Sequence, residues 1–257
     1  MSVKILAVGD VCGEPGLSIL DRRLKAYRKE REIDFVVVNG ENANVVGITP
    51  RQADAILRAG ADVITLGNHT WTRTELRPYL DERRRILRPA NFAPQCPGRG
   101  INVYNTPFGD VCVLNLMGRF TLDANTDNPF VIADGYMEEI REKIILVDFH
   151  AEGTSEKQAM GWLLDGRASA VWGTHTHVQT SDACVLPQGT GYITDLGMTG
   201  AAQSVLGIDP QQSIGKFMGD PPQRYAAASG PQKLEGCLFT IDPETGKCLE
   251  AEAIRLT

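Results

Sequence analysis

The strongest constraint on the fold of this chain is a pattern that occurs five times. A short apolar run, rich in Val and Ile, stops abruptly at a polar residue. Lys4–Val8 stops at Gly9-Asp10, Asp34–Val38 at Asn39-Gly40-Glu41-Asn42, and Ala61–Leu66 at Gly67-Asn68-His69. Lys143–Phe149 stops at His150, and Ala168–Trp172 at Gly173-Thr174-His175-Thr176-His177. Runs of this length are strands, and their lack of polar alternation predicts strands covered on both faces.

Helix signals follow several runs. Leu17, Leu20, Leu24 and Tyr27 form one apolar stripe at helical spacing. Thr49-Pro50-Arg51-Gln52 reads as a capping box with proline at the first helical position, and Thr72–Glu75 and Ser155–Gln158 read as two more boxes. Strand, polar loop and helix in repetition specify an α/β protein. Residues 101–118 predict a hairpin turning at Thr106-Pro107-Phe108-Gly109, and 236–256 a terminal hairpin turning at Asp242–Gly246. Residues 201–232 show no clear periodicity and read as a surface excursion. The 257 residues fit one domain, 1–257.

Ligands of α/β folds gather beyond the carboxyl ends of the strands. The residues delivered there are Asp10, Glu41, Asn42, Asn68, His69, His150, His175 and His177, and they include all four histidines of the chain. In an extended backbone His175 and His177 share one side, so both imidazoles are expected to reach one centre. Oxygen and imidazole donors without an obligatory thiolate suit Mn, Fe or Zn better than Ca or Mg. Eight candidate donors exceed the need of one tetrahedral ion, whereas paired metals about 3.5–4 Å apart are characteristic of hydrolytic phosphoester chemistry. Such ions would also supply positive charge that a chain of net charge −6 lacks. That net charge argues against bulk binding to DNA. The one dense basic stretch, Arg83-Arg84-Arg85, reads as a solvated helix end. Six scattered cysteines without a C-x-x-C pair fit reduced thiols, and no apolar run is long enough for a membrane span, so a cytoplasmic protein is expected.

The five motifs, in this order, resemble the calcineurin-like metallophosphoesterase superfamily. The N-G-E-N of Asn39–Asn42, the G-D-V-x-G of Gly9–Gly13, Asn115–Arg119 and Asn128-Pro129-Phe130 resemble its bacterial 2′,3′-cyclic-nucleotide 2′-phosphodiesterase subfamily. Cys12 stands where the superfamily carries its first-motif histidine, Glu41 where it carries an aspartate, Thr70 after Gly-Asn-His, and Thr174 where it carries the first histidine of its last motif. The resemblance implies a sandwich of two mixed β-sheets flanked by helices, a dinuclear iron or manganese centre, and homo-oligomers. Carried over residue by residue, it implies that Glu41 bridges the metals. Asp10, Asn42 and His177 would then complete one site, and Asn68, His150 and His175 the other; Cys12 is expected to pack rather than ligate. The implied chemistry is in-line attack on phosphorus by metal-activated hydroxide, with His69 as general acid. Arg119 is a candidate phosphate contact. Two alternatives stand beside this reading: a phosphomonoesterase using the same donors, and a metal-dependent nucleotide- or RNA-binding regulatory module.

Overall fold

A computed structural model describes residues 2–122 and 125–257. The first half of the chain runs β1 (Val3–Val8), β2 (Asp10–Val11), α1 (Gly13–Glu30), β3 (Phe35–Asn39), α2 (Pro50–Ala59), β4 (Val63–Thr65), α3 (Leu76–Glu82) and β5 (Ile86–Leu87). The hairpin β6 (Ile101–Thr106) and β7 (Gly109–Met117) leads to α4 (Pro129–Glu139), β8 (Ile144–His150), α5 (Thr154–Leu164) and β9 (Ala170–Thr174). Then come β10 (Cys184–Val185), β11 (Gly191–Ile193), β12 (Met198–Ala201), α6 (Pro210–Met218), β13 (Gln232–Ile241) and β14 (Cys248–Leu256).

The strands form two mixed sheets. One has the order β2-β12-β13-β1-β3-β4-β5 with β14 added on β13, and the other the order β10-β11-β9-β8-β7-β6. β1, β3, β4 and β5 are mutually parallel, as are β7, β8, β9 and β11. Three apolar layers account for the stacking. Leu6, Val8, Val36 and Val38 pack with Ile19, Leu20, Leu24 and Ile56 of α1 and α2. Ile5, Ala7, Phe35, Val37 and Val63 pack between the sheets with Leu146, Ala170 and Trp172. Val147, Phe149 and Val171 pack with Met160 and Leu164 of α5. Alternate residues of one strand thus enter different layers, which is why both faces are apolar. The expected α/β sandwich with flanking helices is present. Among the described residues no helix is long and apolar enough to cross a membrane.

The Thr49 capping box forms as read: Gln52 N–H donates to Thr49 Oγ1 at 3.3 Å, and Thr49 N–H donates to Gln52 Oε1 at 3.0 Å. The other two boxes do not form. Residues after β4 run through successive turns (Thr72 N–H to the His69 carbonyl, Leu76 N–H to the Arg73 carbonyl), so α3 starts only at Leu76, without a side-chain cap. α5 starts at Thr154 after Gly153, placing Ser155 inside the helix. The Glu156 carboxylate instead accepts from the Arg119 and Phe120 N–H groups at 2.9 and 3.4 Å. Within 201–232 a helix was missed. α6 is capped by Asp209 with Pro210 behind it; its short apolar stripe of Ile214, Phe217 and Met218 faces solvent, and it buries only Ser213. The terminal hairpin forms, with its first strand starting at Gln232. Arg83–Arg85 lie exposed after the end of α3.

Candidate metal centre

The parallel strands deliver their carboxyl ends to one edge shared by both sheets. Asp10 follows β1, Glu41 and Asn42 follow β3, Asn68 and His69 follow β4, His150 ends β8, and His175 and His177 follow β9. The inter-sheet face of these strands is apolar through Val37, Val63, Leu146 and Trp172. Two residues further along it becomes Asn39, Thr65, Asp148 and Thr174, all buried. Period two therefore aims a polar patch into the gap between the sheets immediately below the loop residues.

Glu41 lies at the middle of the cluster and is fully buried. Its Oε1 is 3.2 Å from His150 Nε2 and 3.2 Å from Asn42 Nδ2, and its Oε2 accepts from the His69 N–H at 3.1 Å. On one side, His150 Nε2 is also 2.9 Å from Asn68 Oδ1 and 3.1 Å from His175 Nδ1. On the other side, His177 Nε2 is 3.0 Å from Asn42 Nδ2 and 3.8 Å from Asp10 Oδ1. Asp10 Oδ2 accepts from the His175 N–H at 3.1 Å, while its buried Oδ1 has no hydrogen-bond partner. The motif glycines are set by close approach: a Cβ on Gly67 would collide with the His150 ring and the Glu41 carboxylate, and one on Gly173 with the Thr194 carbonyl.

His175 and His177 line one cavity but face different partners, His150 and Asn42, and they do not reach it by the expected route. β9 ends at Thr174, and both histidines adopt left-handed backbone, with φ of 102° and 63°. A continued strand would have carried the chain past the cluster; the left-handed turn folds it back. Asp195 holds that turn, accepting from Thr176 N–H and Oγ1 at 3.2 and 2.7 Å and pairing with buried Lys157 at 2.6 Å.

Burial and neighbouring charge divide the titrating groups. Burial pushes Asp10 up to about 6. Burial acts the same way on Glu41, but the facing His150 and the His69 N–H outweigh it and bring Glu41 down to about 2. His175, buried and beside His150, falls to about 3. For His150, Glu41 overcomes burial and raises it; for His177, Cys12 and Asp10 do the same.

This donor set fits divalent cations. Two buried carboxylates, one with an orphaned oxygen, are costly unless positive charge compensates them. Glu41, His150 and His175 bring their ligand atoms within 4.8 Å of one another. Cys12 Sγ lies 3.4 Å from His177 Nδ1, against the ring. His69 is partly exposed, with Nε2 3.4 Å from Asn68 Nδ2, and lines a cavity of about 330 Å³ with Asn42, His175 and His177. Arg119 is not brought to this cavity; it lines a separate depression with Phe120 and Phe130. Three contributors escaped the sequence reading. Glu152, two residues after His150, has Oε2 3.1 Å from His175 Nε2. The Thr174 hydroxyl is 2.9 Å from His150 Nδ1 and donates to Asp148 Oδ1 at 2.8 Å. Only the period-two extension of the inter-sheet face could have flagged Asp148 and Thr174.

Comparison with known proteins covers almost the entire chain. A family model described as YmdB-like protein matches residues 6–254. A 2′,3′-cyclic-nucleotide 2′-phosphodiesterase of Bacillus subtilis (strain 168) is 42% identical over 255 residues, covering 98% of this chain and 96% of the relative. The crystal structure of a phosphatase from Mycoplasma pneumoniae superposes with a TM-score of 0.94 at 33% identity, covering 100% of this chain and 94% of the other. The crystal structure of a hypothetical protein from Thermus thermophilus superposes with a TM-score of 0.92 at 37% identity, with 99% of each chain covered.

Proposed function

This chain belongs to the YmdB-like protein family, and from that membership we propose that it opens 2′,3′-cyclic nucleotides to 3′-nucleotides as a metal-dependent phosphodiesterase. Hydrolysis of phosphate esters is the broader part of this reading, supported by near full-length likeness to relatives named for phosphodiesterase and phosphatase activity. The cyclic-nucleotide part rests on the 42% identical relative, and the observation that supports metal dependence is Glu41 Oε1, 3.2 Å from both His150 Nε2 and Asn42 Nδ2, a single carboxylate between two groups of polar side chains.

Glu41, Asn68, His150 and His175 would hold one ion, and Glu41, Asp10, Asn42 and His177 the other. Bound there, the ions would lower the pKa of water and neutralise charge on the phosphoryl oxygens. The Thr174 hydroxyl, donating to Asp148, accepts from His150 Nδ1–H and so fixes the tautomer that presents Nε2 to the donor cluster. His69 holds the proton that the ribose 2′-oxygen takes as its bond to phosphorus breaks. What supports this role is its place in the cavity lining, with its backbone N–H bonded to Glu41 Oε2 at 3.1 Å.

The test is hydrolysis of 2′,3′-cyclic AMP by the Mn-loaded protein, beside the His69→Ala variant. Release of 3′-AMP by the wild type, with the variant strongly impaired, supports both parts. Turnover of p-nitrophenyl phosphate alone would establish the phosphomonoesterase reading instead. Metal bound with no turnover of either ester would favour the binding module.

A further inference from the structure

The cavity beside the donor cluster has a second, apolar lining that plays no part in holding metal. It comes from two segments far apart in sequence: Val45 and Val46 after β3, and Leu206, Ile208 and Tyr225 around α6. Of the six non-glycine residues with positive φ among the described residues, four line this cavity: Val45 (64°), His175 (102°), His177 (63°) and Leu206 (54°). For a β-branched residue such as Val45 this conformation is a genuine outlier, and strain of this kind collects at ligand sites. The Val45 and Leu206 segments carry it on the apolar side as the histidines do on the polar side.

The apolar segments are also closed in on themselves. Val45 N–H bonds to the Asn42 carbonyl, Val46 N–H to the Asn44 carbonyl, and Ile208 N–H to the Val205 carbonyl. Gly207 N–H bonds to Ser204 Oγ, and the Leu206 carbonyl faces His177 Nδ1 at 2.9 Å. Ala228 N–H to the Gly207 carbonyl, and Asp209 N–H to the Ala226 carbonyl, tie the 205–209 loop to the stretch that carries Tyr225. These backbone groups are therefore not available to read the edge of a ligand. Beside the polar Glu152 and Thr176 of the same cavity, this side of the lining offers aliphatic surface and the exposed ring of Tyr225, which has Lys216 Nζ 5.5 Å from its centroid.

Resting on the phosphodiesterase reading above, we infer that this lining is a nucleobase subsite that recognises the face of a base and not its edge. The substrate class follows: nucleoside cyclic phosphates, with a base required and its identity nearly indifferent. The volume suits a ligand of nucleotide size, since small-molecule sites begin at about 300 Å³. Every base presents a flat π-face, so stacking on Tyr225 between aliphatic residues discriminates little among bases.

The experiment compares the four common 2′,3′-cyclic nucleotides with the base-free ester 1-O-methyl-ribose 2′,3′-cyclic phosphate, using the metal-loaded protein. Calorimetry measures binding of 3′-AMP against 1-O-methyl-ribose 3-phosphate in parallel. The expected result is kcat/KM within about fivefold across the four bases, and at least about tenfold lower for the base-free ester, mostly through KM. Tyr225→Ala should shrink that gap and the matching difference in affinity, and Tyr225→Phe should preserve both. Equal kcat/KM with and without a base overturns the subsite while leaving hydrolysis intact, and so does a preference of about 100-fold or more for one base. Turnover of neither nucleotide nor base-free ester overturns the activity on which the subsite rests.

Discussion

On one side of Glu41, His150 is fully buried and engaged at both ring nitrogens. Nδ1 faces the Thr174 hydroxyl, itself bonded to Asp148, and Nε2 faces Glu41, Asn68 and His175. Asp148 also accepts from Asn39 Nδ2 at 3.2 Å and from the Thr65 hydroxyl, so strands of both sheets converge on it. On the other side, His177 rests on Cys12 Sγ and on the Leu206 carbonyl, which belongs to the loop before α6. One half of the cluster is thus built into the sandwich itself, and the other leans on a loop. The difference separates what braces the cluster from what shapes the cavity: the inter-sheet core holds His150, and the segments that meet at His177 line the cavity.

The largest effect should come from the residue common to both halves. Glu41→Ala is expected to abolish activity and metal content together, read by elemental analysis and turnover; a metal-free variant at full activity would end the dinuclear proposal. His69→Ala should lower kcat by about 10²–10⁴ with metal content intact, because general acid catalysis contributes on that scale. Loss of metal in this variant would make His69 a ligand instead.

Thr174→Val probes the rigid half alone. It removes the link between His150 Nδ1 and Asp148 and should weaken metal affinity by about 10–100-fold in a chelator competition. An unchanged affinity would mean that packing by itself orients His150.

Proton release sharpens the comparison further. Metal binding needs deprotonated ligands, so Asp10, held up at about 6, and the raised His150 and His177 must each give up a proton in the pH range where they carry one. Glu41, at about 2, and His175, at about 3, contribute none near neutrality. Apparent affinity should therefore rise with pH from below 6 toward 8, with proton uptake by buffer measurable by calorimetry in buffers of different ionisation enthalpy. A flat profile would show that these protons are absent. The smallest effect is expected for Arg119→Ala, about twofold or less in kcat/KM, since its side chain lies outside the cavity. A loss of tenfold would return Arg119 to the substrate.

Much of the donor half was legible because strand ends are local events. Val38 to Glu41, Ile64 to Asn68 and Leu146 to His150 each pass from apolar strand to a polar side chain within a few residues, and parallel strands carry such ends to one edge. His175 and His177 do line one cavity, but from left-handed and not extended backbone. Helix α6 carries local signals, an Asp209-Pro210 start and Ile214, Phe217 and Met218 at helical spacing, but they span barely two turns and that stripe faces solvent. Thr72 and Ser155 carried cap-like spacing, but turns after β4 and the cap position at Gly153 decided the helix starts.

By itself, then, the sequence determined the strand–helix alternation, the two-sided burial of the strands, and the residues that stand at the strand ends, because each depends on neighbours along the chain. Only the tertiary structure decided that Asp148 braces His150 through Thr174, that Glu152 reaches His175, and that Val45 and Tyr225 line one cavity 180 positions apart in sequence. Those pairings depend on how two sheets stack and where long connections return, and hydrophobic burial fixes that for the whole molecule at once.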